Sequence, residues 1–265
     1  MSRASNPILS REISHRMRDN KTFFVPVVYL AVLATVTLGV YAISNWDPYG
    51  LPTQGWRIGD SIFNAVSFTQ LALVLLLVPS VSASAITSER DRKTLTPLLV
   101  TPLSRTAVAL GKLVAPILYV LLLVSTSLPF AALSFGFGGA DLADLGLSYG
   151  CIAAAALFVA SFGLFVSTIM KRTVPAVLLA YGLIALLVIG SLIGDLVLNS
   201  VFFSGGQGQV VFTYLNPFLP LVVSMIDEPS LAQELPSIWI TPALEIGLAA
   251  AFFAASLARI RSMRE

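Results

Sequence analysis

SERDRKTLTPLLVTPLSRTAVALGK, residues 88–112, separates two long apolar runs, 62–86 before it and 113–135 after it. A helix needs about 20 predominantly apolar residues to cross a hydrocarbon core of about 30 Å, and each run supplies them. The stretch between them must therefore emerge into water or lipid headgroups. Its charges are Glu89, Arg90, Asp91, Arg92, Lys93, Arg105 and Lys112, and Leu95, Leu98, Leu99 and Leu103 lie among them. Charge mixed with exposed leucine is the composition of a docking surface.

The whole chain agrees with that reading. Hydrophobic residues make up 56% of its 265 residues and charged residues 11%, with a mean hydropathy of +0.86. Soluble domains average about 45–50% apolar and about 25% charged residues. This is the composition of an integral membrane protein, a single all-α membrane domain over 1–265 whose length is largely taken up by its spans. No separate soluble catalytic domain fits. One cysteine, Cys151, cannot form an internal disulfide and is read as packing.

Six crossings are expected, at 23–43, 62–86, 113–135, 147–170, 174–198 and 238–258. The first is longer than a secretory h-region and is read as a retained helix. Before it, Asn6-Pro7 starts a segment that spaces Leu9, Ile13 and Met17 four apart among Arg11, Glu12, His15, Arg16, Arg18 and Asp19. Residues 1–22 therefore read as an interfacial helix lying on the membrane, a solvated basic tail being the alternative. Residues 45–59 read as a loop with interfacial Trp46, Tyr49 and Trp56. The longest loop, 199–237, has an apolar middle broken by Pro217 and Pro220, and is expected to hold a short helix in or dipping into the outer leaflet.

Cations fix the orientation. Fifteen of the sixteen Lys and Arg residues fall in 1–22, 87–112, the Lys171-Arg172 turn and the tail, all on one side of a six-span layout, and only Arg57 falls on the other. The positive-inside rule then places both termini in the cytoplasm of a multi-pass inner-membrane protein.

Polar residues inside the spans are the usual pointers to a translocation path. Asn64 and Gln70 in the second span and Glu245 in the sixth are the candidates, interhelical hydrogen bonding being the plainer role for the first two. Glu245 must be protonated, paired or facing water. Ser80, Ser82, Ala83, Ser84 and Ala85 after Pro79 read as a surface for close helix packing. Asp60 and Asp195 each follow Ile-Gly near the outer surface, without a histidine, cysteine or metal-ligand cluster beside them, which argues against an intramembrane enzyme. Ser204-Gly205-Gly206-Gln207 matches the core of a nucleotide-contacting signature but lies on the outer side. The Gly111-Lys112 pair lacks the remaining phosphate-loop residues, with Thr106 in place of the first glycine and Leu113 in place of the hydroxyl, so the chain is not expected to hydrolyse ATP. No half-to-half symmetry or central ion site supports a secondary transporter.

Glu89-Arg90, Thr94-Leu95, Leu98-Leu99, Thr101-Pro102, Ser104-Arg105 and Gly111-Lys112 together resemble the loop after the second helix in membrane subunits of ABC-2 type exporters. The start, Asn6-Pro7-Ile8 leading into Arg11-Glu12, resembles that family too, and so does Tyr214-Leu215-Asn216-Pro217-Phe218 after the fifth span. Pro97 departs from the helix-former common in the family, so the helix is expected to break or restart at Thr96-Pro97. The resemblance implies an exporter permease that pairs with a second, same or related, permease in the lipid membrane, with no nucleic-acid partner. Separate ATP-hydrolysing subunits would dock on a coupling helix over 88–105, within the 87–112 loop, through Glu89, Arg90, Thr94, Leu95, Leu98, Leu99, Pro102 and Arg105. ATP and Mg would be bound by those subunits, and no cofactor by this chain. The alternative within the family is a subunit that transmits motion or a signal outward and moves no substrate; an ATPase-independent secondary transporter is the more distant one. The cargo stays open, with a bulk lipid or drug favoured by the apolar spans.

Overall fold

The computed structural model describes residues 20–44, 55–93, 105–202, 212–224 and 239–262, and these are helical with no strand among them. In chain order they form α1 (Asn20–Ser44), α2 (Gly55–Ser82), α3 (Thr87–Asp91), α4 (Arg105–Thr126), α5 (Leu128–Gly136), α6 (Leu142–Ile169) and α7 (Thr173–Phe202). The 3-10 turn η1 (Phe212–Leu215), α8 (Leu219–Ser224) and α9 (Ile240–Ser262) complete them. Six segments are long and apolar enough to cross a membrane: Phe24–Ser44, Gly55–Asp91, Ala109–Gly136, Leu142–Ile169, Thr173–Leu198 and Ile240–Ile260. The all-α, six-span architecture matches the reading of the sequence. The expected interfacial helix lies outside the described residues, except that 20–22 open α1.

α6 is the axis of the bundle. Of its most apolar stretch 72% is buried, against 17% for α1 and 22% for α7. It packs against α2, α4, α7 and α9. Lipid is as apolar as leucine, so burial here comes from close packing rather than from water exclusion, and small residues are what permit it. α6 supplies them in Cys151, Ala154, Ala155, Ala156, Ala160, Ser161 and Gly163, all buried. Its start is fixed by a reciprocal cap: the Asp141 carboxylate accepts from Leu142 N at 2.7 Å, and Asp144 accepts from Asp141 N at 2.9 Å. A second, smaller core of Tyr29, Leu33, Ile58, Ile62, Val66 and Leu123 attaches α1 to α2 and α4.

Three element boundaries differ from the expectation. The run 113–135 is two helices, α4 and α5, because Pro129 has no N–H for the helical ladder; Ser127 bridges the break, donating Oγ to the Val124 carbonyl at 2.7 Å and accepting from Phe130 N at 2.9 Å. α2 begins at Gly55, so Trp56 is helical rather than in a loop, with the Arg57 guanidinium 5.4 Å from its ring centre. This early start is held by a backbone-on-backbone contact: a Cβ on Gly59 would lie 2.7 Å from Gly139 N, and one on Gly139 would lie 1.9 Å from Asp60 N. Thirdly, 212–224 holds two short helices instead of one.

Gly139→Ala is expected to lower the unfolding temperature of the detergent-purified protein, at a cost of about 1–3 kcal/mol for overpacking. Gly146→Ala serves as the control, since nothing lies within 4 Å of a Cβ there. Equal unfolding temperatures for the two variants would refute the contact.

Candidate functional site at the charged end of the bundle

α2 ends, α4 begins, α6 ends and α7 begins at one end of the bundle, and the five-residue α3 lies among them. Pro79 stands near the end of α2, and the chain then turns through 83–86 before α3. This turn is buried against α6. Ser82 sits where a Cβ on Gly163 would be, 2.0 Å from its Oγ. The small-residue patch therefore packs closely, as its composition implies. Ser167 Oγ accepts from both Ile86 N (2.9 Å) and Thr87 N (3.1 Å), satisfying two amides that the turn would otherwise leave unpaired in the interior.

Successive residues of a helix point about 100° apart, so three neighbours on α3 can reach three different spans. Glu89 accepts from Lys112 Nζ on α4 at 3.3 Å. Arg90 donates to the Met170 carbonyl just beyond α6. Asp91 accepts from Thr173 N at 3.1 Å and Thr173 Oγ1 at 2.6 Å, which places a carboxylate at the amino end of α7 where the helix dipole favours it. Lys93 follows with φ of 58°, a left-handed residue just past the end of the helix.

Of the expected attachment residues, Glu89 and Arg90 stand on α3. Arg105 opens α4. Thr94, Leu95, Leu98, Leu99 and Pro102 lie outside the described residues, as does Pro97. Reading the sequence did not reveal Ser167, Thr173 or Lys112 as partners of this segment. Opposite charges flanking the loop, Glu89 and Lys112, were the one visible hint.

The three intramembrane candidates do not meet. Asn64 donates to Asp60 Oδ2 at 3.2 Å, one turn back on α2. Gln70 is wholly buried and faces Tyr29, Ser127 and Tyr149, yet its amide atoms have no hydrogen-bond partner among the described residues. Ser127 Oγ and Tyr149 Oη lie 3.1 Å apart beside it. Glu245 is buried near Cys151, its Oε1 likewise unpartnered among the described residues. Tyr149 and Cys151 are two residues apart on α6, about 200° around it, so Gln70 and Glu245 occupy different sides of the axis.

Opposite the charged end, Asp195 of α7 accepts from Phe212 N (2.7 Å), Thr213 N (2.6 Å) and Thr213 Oγ1. It is a structural cap. Asn216 donates to the Val188 carbonyl at 3.2 Å and Ser191 Oγ at 3.0 Å, and accepts from Phe218 N at 3.0 Å. Phe218 stacks on Phe68 with 5.9 Å between ring centres. The Asn216-Pro217-Phe218 string thus seats the returning segment against α7 and α2.

Six apolar crossings, the axial α6 among them, with an ion pair and side-chain caps at their ends, define a polytopic helical membrane protein. The ABC-2 family transporter protein profile matches residues 7–250, and the chain belongs to that family. It is a membrane component of an ABC transport system. A search of curated proteins finds no match to the chain.

Ser167→Ala leaves two buried amides without an acceptor and is expected to cost about 1–3 kcal/mol. Hydrogen exchange should accelerate selectively at 83–93, and unchanged protection there would contradict the clamp. For Glu89 and Lys112, a double-mutant cycle with Glu89→Gln and Lys112→Met should return a coupling energy of about 0.5–2 kcal/mol, measured by unfolding in detergent. Additive effects would show that the pair contributes nothing.

Proposed function

We propose that this chain is the permease subunit of an ABC-2 type exporter, with segment 88–105, which opens on α3, serving as the coupling segment for a separate ATP-hydrolysing subunit on the cytoplasmic side. The observation that carries the proposal is the bracing of α3. Its residues bond to α4, α6 and the start of α7 within one helical turn and a half. A push on the segment that follows is therefore delivered to three crossings rather than absorbed by a loop. Leu95, Leu98, Leu99 and Leu103 would seat in a groove of the ATPase, as the apolar anchors of a helix-in-groove contact do. Because Glu89 is paired with Lys112 within the chain, its role is to stiffen the base of the helix, and Arg90 shares that role. ATP and Mg belong to the partner subunits.

A second permease completes the assembly in this reading. α1 and α7 bury the least of their surface, both pack on α2, and Tyr181 of α7 donates to the Leu76 carbonyl of α2. Together they offer a broad apolar face on which another copy or a related chain can pack, with the export route running between the two. Gln70 and Glu245 are enclosed, so a part for either in handling cargo requires α6 to part from α2 or α9; Asn64 keeps some exposure without such movement. The cytoplasmic placement of both termini rests on the distribution of lysine and arginine.

Leu98→Asp should leave the protein in the membrane while abolishing co-purification with a co-expressed ABC ATPase subunit and reducing stimulated ATP hydrolysis by tenfold or more, about 1.4 kcal/mol. Glu89→Ala should weaken both to a smaller degree. Wild-type association and hydrolysis in both variants would remove the coupling role.

A further inference from the structure

A cavity of about 490 Å³ opens at the charged end, lined by Arg90, Thr168, Ile169, Lys171, Arg259 and Ser262. α3, the last turn of α6, the α6–α7 turn and the last turn of α9 each contribute to it. Among the described residues three cations line it and no carboxylate does. The acids of α3 do not line it: Glu89 pairs with Lys112, and Asp91 accepts from Thr173 while its charge also acts on Arg90 and Arg172. Among the described residues neither Lys171 nor Arg259 forms a salt bridge. The carboxyl ends of α6 and α9 add only about half a negative charge each. The charges of Lys171 and Arg259 alone outweigh that, and among the described residues the cavity is electropositive.

Cations held in one concavity repel one another, and an anion set among them removes the repulsion while gaining charge-assisted hydrogen bonds. The location narrows the choice of anion. Ile169, an apolar residue at the end of a membrane crossing, is 44% exposed at the rim, so hydrocarbon and water meet here. Basic pockets between spans at such a boundary suit the headgroups of acidic lipids.

We propose that this cavity is a binding site for an anionic phosphate, carried by an acidic phospholipid of the adjoining leaflet or free in the aqueous phase. The lipid is the source that the apolar rim favours. Held there, the phosphate joins Arg90 on α3 to Arg259 on α9, the crossing that the hydrogen bonds of α3 do not reach. The inference stands on the cavity alone and needs neither an ATPase partner nor an assigned orientation.

The full-length protein is reconstituted in phosphatidylcholine vesicles, in the same vesicles with added inorganic phosphate, and in vesicles containing phosphatidylglycerol, and its unfolding temperature is measured. Phosphatidylglycerol should raise it by about 2–4 °C, and Lys171→Gln/Arg259→Gln should lose that rise while unfolding as the wild type does in phosphatidylcholine. Arg172→Gln, a neighbouring exposed cation that does not line the cavity, should keep it, and so should the charge-preserving Lys171→Arg/Arg259→Lys. A rise produced by inorganic phosphate in phosphatidylcholine and lost in the Gln double variant assigns the site to free phosphate. The proposal is overturned if neither additive shifts the wild type, or if the Gln double variant retains the full shift. Should the Gln double variant prove unstable, native mass spectrometry of the wild type and Arg172→Gln decides: retained phosphatidylglycerol supports the site, and its absence from both refutes it.

Discussion

The fold depends on the approach of α2 to α6 at Ser82, Gly163 and Ser167. A proline near the end of a membrane helix precedes a turn whose amides need new acceptors, and in a protein interior unsatisfied donors are costly. Gly163 removes the side chain that would hold α2 away, and Ser167, one turn further on, takes two of those amides on a single oxygen. Close contact and hydrogen-bond satisfaction are thus one event. With α2 pinned to the axis, α3 is delivered to the position from which its side chains reach α4, α6 and α7.

The two ends of the bundle solve a common problem with different chemistry. At the charged end, the Glu89–Lys112 ion pair and an acid at a helix start hold α3. At the other end, Asp195 and Asn216 use uncharged donors to hold a segment that returns to it. Between them the crossings differ in how much they are enclosed, from the axial α6 to the outlying α1 and α7. A bundle organised this way has a stiff middle and partly uncovered sides, as expected of a subunit that packs against others in the membrane.

The number of the crossings and their approximate positions were legible because apolarity over about 20 residues is a property of the residues themselves. The Lys171-Arg172 turn and the packing patch after Pro79 could be read for a similar reason, since charge and small size announce themselves locally. Partnerships could not be read. Ser167 is 80 residues from Thr87, and nothing in a serine between valine and threonine reveals that its oxygen serves two distant amides. The division of 113–135 at Ser127 was hidden although Pro129 was in plain view, because hydropathy is indifferent to a missing backbone donor. The early start of α2 depends on Gly139, whose closeness to Gly59 only the folded chain brings about.

α7 is fastened at its start by Asp91 to Thr173, and about two turns before its end by Asp195 to Phe212 and Thr213. Its 30 residues make a rod of about 45 Å. A rigid rod turns small rotations into large displacements: pivoting about Thr173 by about 10° would sweep Asp195, about 33 Å away, through about 6 Å. A tilt of α7 set off at α3 would therefore displace η1 at the opposite end of the bundle, carried by the backbone of one helix and not by a relay of side chains.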